Sequence, residues 1–227
     1  MSTKFKIVAV LAPLMLVLDQ LSKWWTVSTL RYQGGRLPAS TMEGLAQWGH
    51  DASHPLEVKI IPGLLSFIHA QNPGAAFGML VDFEHRMYVF AGFTVIAMAV
   101  LTSMYKALED DDRFQSTIVA LIASGAVGNA IDRVHKATVT DFIKVYTDHP
   151  GLSAWCVETF GTNEYPTFNI ADSCIVVGVC LYLLHYLMVS FEKPREVSAE
   201  EVGENPLARE DSGDGATPAR EDARAPS

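Results

Sequence analysis

Along the first 191 residues, apolar runs of membrane-crossing length alternate with short polar segments. Three runs carry no formal charge: Met87–Tyr105, Phe114–Ile131 and Ser173–Phe191. Roughly twenty apolar residues cross a bilayer core as a helix. A fourth run begins at Ile7–Leu18 behind Lys4 and Lys6. Its length also fits a secretory signal peptide. However, the pattern continues through Leu21, Trp24, Trp25 and Val27 without a clear small-residue cleavage site, so a retained helix is expected. The expected spans are about 7–27, 87–105, 114–132 and 169–191. Asp19 and Lys23 lie four apart on one face of the first span and can pair. Trp24 and Trp25 mark its water interface. Gly125 and Gly128 allow close packing of the third.

The stretches between the spans read differently. Gly34, Gly35, Pro38, Gly44, Pro55, Pro62 and Gly63 punctuate residues 31–66, and Leu56–Ile61 and Leu64–His69 look like strands. A small extramembrane sheet with its loops is expected over about 31–84 and 135–167, on the periplasmic side, with Thr41–Ser53 as a loop or short helix. Residues 72–78, Asn-Pro-Gly-Ala-Ala-Phe-Gly, form a turn rich in small residues. The acidic run Glu109–Asp112 reads as a solvated turn and 144–167 as a long loop. The fold class is therefore an all-α membrane protein of four transmembrane helices with a small extramembrane β-sheet.

Composition adds a boundary. The chain is 49% apolar and carries a net charge of −9. Residues 192–227 hold ten acids and five bases, which is −5 of that charge, and have no aromatic residue. Such a segment cannot bury a core, so a membrane domain over 1–191 and a disordered acidic tail over 192–227 are expected. No basic stripe supports nucleic-acid binding. Cys156, Cys174 and Cys180 give neither a metal spacing nor a disulfide framework.

Four spans place both termini on one side. The basic residues Lys4, Lys6, Lys106, Arg113, Lys193 and Arg195 make that side cytoplasmic, although the bias is modest. Asp19, Asn72, Asn129, Asp132, Asp141, Asn169 and Asp172 then all gather near the outer face. An ionised Asp within a span costs about 2.5–3.5 kcal/mol on insertion scales, so such residues need partners or a task. Asn169 and Asp172 share a face in the first turn of the last span, and the plain reading is a helix N-cap near the headgroups. The chemical reading is a carboxyl pair. Two carboxyls in one poorly solvated site cannot easily both ionise, so one is an acid and the other a base near neutral pH. Such a pair can activate water for peptide hydrolysis without a metal. Neither a His-Glu-x-x-His zinc motif nor a Gly-x-Ser-x-Gly nucleophile elbow occurs.

Five stretches carry a resemblance: Asp19-Gln-Leu-Ser-Lys23, Asn72-Pro-Gly-Ala-Ala-Phe-Gly78, Gly128-Asn-Ala-Ile-Asp-Arg133, Val139-Thr-Asp-Phe-Ile143 and Phe168-Asn-Ile-Ala-Asp172. In this order, over roughly residues 5–191, the chain resembles lipoprotein signal peptidase (signal peptidase II), an aspartic protease family of the bacterial inner membrane. The resemblance implies cleavage of diacylglyceryl-modified prolipoproteins just before the lipidated cysteine, at the periplasmic face, without cofactor or metal. It also implies inhibition by globomycin-type lipopeptides. It makes Asp141 and Asp172 the catalytic pair, supported by Asp19, Lys23, Asn72, Gly74, Asn129, Asp132, Arg133, Asn169 and Ala171.

Some of this reading stays open. Asp132 is a rival for the role of Asp141, although its neighbour Arg133 suggests a structural ion pair. The aspartates stand 31 residues apart, where the family's gap is usually shorter, so 144–167 is expected to be extended. The expected partners are prolipoproteins and membrane lipid, the chain acting as a monomer, with extended substrate pairing along the sheet edge. The alternatives are a small transporter or proton-relay protein using the membrane carboxylates, or an inactive lipoprotein-binding paralogue.

Overall fold

The computed structural model describes residues 1–33, 54–74, 83 and 85–191. The expectations for Thr41–Ser53, for the rest of the turn after Gly74 and for the tail over 192–227 lie outside the described residues. Met1–Leu187 form one compact unit; of the second, Met188–Ser227, only 188–191 are described, the end of the last helix.

Four helices are long and apolar enough to cross a membrane: α1 (Thr3–Thr29), α2 (Arg86–Ala107), α3 (Arg113–Lys136) and α5 (Ile170–Phe191). Each end lies within four residues of the expected span. A three-stranded antiparallel sheet, ordered β1-β2-β3, joins them: β1 (Glu57–Ile61), β2 (Leu65–Asn72) and β3 (Val139–Val145). The first two strands match the apolar runs in the sequence. The third lies within residues 135–167 and carries Asp141.

Helix α3 is the central span. Ser116, Ala120, Ser124, Gly128 and Asp132 are all buried on it, spaced four apart along one stripe. Small residues there let neighbouring backbones come close. A methyl group added at Gly125 would collide with the carbonyl of Ala171, and one at Gly128 with Asp19 and Ala171. The two glycines thus seat α3 against the start of α5 and against α1.

The opposite end of the bundle is tied by Lys4. Its backbone N–H donates to the Asp110 carbonyl (3.0 Å), and its ammonium donates to the Leu108 carbonyl (2.7 Å) and pairs with Asp110 (3.1 Å). The N-terminus and the 106–113 turn therefore share one end, and the sheet occupies the other. The acidic run is more than a solvated turn. Asp112 caps α3 by accepting from the Gln115 N–H at 2.9 Å.

The long loop expected over 144–167 is a correction. It contains an eleven-residue helix, α4 (Pro150–Phe160), begun by Pro150 and ended by Gly161 in the left-handed conformation (φ 77°). Both punctuation residues were visible in the sequence. The helix was missed because none of its residues is buried, so no single apolar stripe faces a core.

Beyond α4 the chain runs back along β3. Phe142 and Ile143 donate their N–H groups to the Phe168 carbonyl, Tyr165 donates to Val145, and Thr147 donates to Asn163. The outer edge of β3 is thus closed by residues 163–168.

Candidate active site

Asp141 is set by strand register. It pairs with Ala70 of β2, and the next pair on the same face is Asn72 with Val139. The diagonal brings the Asn72 Nδ2 to 3.1 Å from the Asp141 Oδ2. Asp172 is set by a helix cap. Its N–H donates to the Asn169 Oδ1 (2.9 Å), and its Oδ2 accepts from the Asn169 N–H (3.2 Å). This is the reciprocal geometry of a capping box. The plain N-cap reading therefore holds, and the carboxyl still has its other oxygen, Oδ1, which accepts from the Asn129 Nδ2 at 2.7 Å.

Asn169 joins the two carboxyls. Its Nδ2 donates to the Asp141 Oδ1 at 2.8 Å and also lies within reach of the Asn129 Oδ1 and the Thr140 carbonyl. Because Phe168 is hydrogen-bonded to Ile143, the chain enters α5 alongside β3, and two residues 31 positions apart meet.

The carboxamides are not free to turn. The Asn72 oxygen accepts from the Gly74 N–H (3.0 Å), the Asn169 oxygen from the Asp172 N–H (2.9 Å), and the Asn129 oxygen from the Lys23 ammonium (3.1 Å). Each has its oxygen tied down and its N–H₂ turned toward a carboxyl.

Burial, and then the charge of Asp172, push the Asp141 carboxyl from 3.8 up to about 7. The hydrogen bonds from Asn72 and Asn169 and the charge of Lys23 oppose the rise. Asp141 is 2% exposed.

Behind the pair lies a buried charge cluster. Lys23 contacts Asp19 (2.8 Å) and Asp132 (3.3 Å) with all three side chains almost fully buried. Asp19 also accepts the N–H of Ala171 at 2.9 Å, so a residue of α1 caps α5. The ion pair expected between Asp132 and Arg133 is not the one found. Asp132 faces Lys23, Lys136 (3.4 Å) and the Thr140 N–H (3.0 Å), because Arg133 points to the other side of α3. There it stacks over Phe90 (4.2 Å) and donates to the Gly74 carbonyl (3.4 Å). Its charge acts on Asp172, Asp141 and Asp132.

The nine expected supports thus join one network or abut it. Sequence reasoning missed a second layer behind it. His69 and Gln71 on the alternate face of β2, Thr140 on that of β3 and Thr138 just before β3 are buried. Gln71 bridges the His69 ring (2.8 Å), Thr140 (3.1 Å) and Thr138 (2.9 Å). Polar residues at every second position of a strand read as solvent-facing, which hid them. Among the described residues no group of three His, Cys, Asp or Glu side chains could hold a metal ion.

A family model described as signal peptidase (SPase) II matches residues 11–188. The chain belongs to the signal peptidase II family. It is accordingly a peptidase. A protein of Geobacter metallireducens named lipoprotein signal peptidase is 40% identical over 127 residues, 56% of this chain and 70% of that one. One of the same name from Maridesulfovibrio salexigens is 28% identical over 185 residues, 81% of this chain and 96% of that one. The fold is similar to that of a bacterial membrane enzyme solved by the in meso method at 2.3 Å resolution. The TM-score is 0.61 and the identity 24%, over 83% of this chain and 92% of that one.

Proposed function

We propose that this signal peptidase II removes signal peptides from diacylglyceryl-modified prolipoproteins at the periplasmic face of a bacterial inner membrane. It cuts just before the lipidated cysteine, with Asp141 and Asp172 activating water. The observation that carries this reading is the double hold of Asn169 on both carboxyls. The names of the relatives support the substrate class.

In the mechanism, one carboxylate takes a proton from water as the water oxygen attacks the scissile carbonyl. The other carboxyl, protonated, gives its proton to the departing amine of the lipidated cysteine, and the peptide bond breaks. With a pKa near 7, Asp141 is the acid at neutral pH, and Asp172 is the base. Arg133 steadies the negative charge that develops. The acyl chains stay between the helices or at the lipid boundary, and the signal helix unwinds locally to reach the pair.

The test is cleavage of a lipidated prolipoprotein by the purified protein. Asp141→Asn and Asp172→Asn are nearly isosteric, and each should lower turnover at least about 100-fold, with the double variant hardly worse. A single variant with near-normal turnover removes that residue from the pair. No cleavage by the unaltered chain favours a transporter or an inactive paralogue.

A further inference from the structure

Helix α4 carries one charged residue, Glu158. At about 100° per residue, Leu152, Trp155, Cys156, Val157 and Phe160 spread over an arc of about 200°, which also takes in the hydroxyls of Ser153 and Thr159. Glu158 falls near the middle of the remaining arc. Leu152, Trp155, Val157 and Phe160 are between 49% and 67% exposed, and no residue of the helix is buried. Single exposed apolar residues are ordinary, but four large ones on one short helix make a patch that water disfavours.

The place of the helix in the fold says what covers the patch. Trp25, near the end of α1, packs edge-on against Phe67 of β2, with 6.0 Å between ring centroids. Phe67 pairs with Ile143 of β3, and Ile143 bridges Phe168, two residues before α5 begins. The sheet is thus fastened to the ends of two spans, at the level of the interfacial tryptophans. α4 hangs from the same strand. Its loop closes where the Thr147 N–H meets the Asn163 carbonyl, and two residues separate that base from each end of the helix. Links this short hold both helix ends within about 11 Å of the base. Tyr165, also exposed and edge-on to Phe168 at 5.9 Å, lies between that base and the start of α5.

We propose that α4 is a membrane-surface helix. It lies along the leaflet on the side of the sheet, with its apolar arc at the boundary between headgroups and acyl chains and Glu158 toward water. Lipid covers the patch, because the strand that carries α4 is itself held where the spans leave the bilayer. A short helix with a broad apolar arc, a charge opposite it and a tryptophan within it suits that boundary. The inference uses only the membrane spans, not the proposed chemistry of Asp141 and Asp172, so it stands or falls apart from that reaction.

The test is the fluorescence of Trp155 in the full chain, reconstituted in vesicles of phosphatidylcholine and phosphatidylglycerol. Trp24→Phe, Trp25→Phe and Trp48→Phe together leave it as the one tryptophan. Phosphatidylcholine brominated near the headgroup end of its acyl chains should quench it at least about twofold, bromine near the chain ends should quench less, and soluble acrylamide should have little effect. Emission untouched by brominated lipid overturns the proposal. If acrylamide quenches strongly, the helix stands in water. If neither quencher acts and α4 cross-links between chains, a second copy covers the patch. Should the triple variant fail to accumulate, the difference in quenching between the unaltered chain and Trp155→Phe gives the same signal. Equal loss of fluorescence to brominated lipid in those two proteins then overturns the proposal.

Discussion

At the residue scale, the site is a set of polar side chains that leave one another little choice. Asp141 has the informative titration. Its folded-state pKa of about 7 lies above the ordinary 3.8, because burial and Asp172 disfavour its charge. Its acid form is lost as pH rises through about 7, so kcat should fall about tenfold per pH unit above that point. A pH–rate profile flat up to pH 9 would contradict the assignment of Asp141 as the acid. Stability follows the same sign. Between about pH 4 and pH 7 the folded chain holds a proton that the unfolded chain has released, so this group removes stability as pH rises across that window. The total is of order a few kcal/mol, and Asp141→Asn should flatten the trend in thermal melts. Asp132→Asn offers a contrast. Its oxygens serve Lys23, Lys136 and the Thr140 N–H, so the change should lower the melting temperature and leave turnover per folded molecule within about tenfold. An inactive but fully stable Asp132→Asn protein would move the acid role to Asp132.

At the element scale, register and caps do the placing. β3 brings Asp141 to Asn72, the capping box of α5 brings Asp172 to Asn169, and the Phe168–Ile143 bridge brings the two together. The intervening helix α4 has no part in this. Its loop is already closed at the base, where the Thr147 N–H donates to the Asn163 carbonyl (3.1 Å) and the Asn163 Nδ2 donates to the Thr147 carbonyl (2.8 Å). Replacing residues 148–162 with a short turn should therefore leave kcat within about threefold, because shortening a closed loop changes its entropy little. A loss beyond about tenfold, with membrane levels unchanged, would show that α4 handles substrate. The sequence offered Pro150 and Gly161 as its ends, but an exposed helix lacks the buried stripe that pattern reading relies on.

At the scale of the whole molecule, the two ends of the bundle differ. Lys4 and the 106–113 turn mark one end, and the sheet with both aspartates marks the other. Reporter fusions after Ser53 and Ser153 should read as periplasmic, and fusions after Asp111 and Ser212 as cytoplasmic. The reverse at Ser153 would put the carboxyl pair on the wrong side of the membrane for the proposed reaction. Deleting residues 198–227 should leave cleavage nearly intact, because a segment that is largely charged and small-residue-rich has no apolar face to dock. Lost cleavage at normal membrane levels would give that segment a role.

The sequence by itself determined the four spans, because uncharged runs of this length have few other stable settings. It also determined the shared end of Asp19, Asn129, Asp132 and Asp172, because span counting fixes sidedness, and the pairing of Asp19 with Lys23, because four residues make one helical turn. Only the tertiary structure decided which oxygen meets which donor. Asp132 chose Lys23 over its neighbour Arg133 because adjacent residues on a helix point about 100° apart. His69, Gln71, Thr138 and Thr140 became interior because β2 and β3 are covered on both faces there, which strand alternation cannot reveal. The oxygens of Asn72 and Asn169 are held by the nearby Gly74 and Asp172 N–H groups, but that of Asn129 is held by Lys23, 106 positions away, and only folding brings that donor within reach.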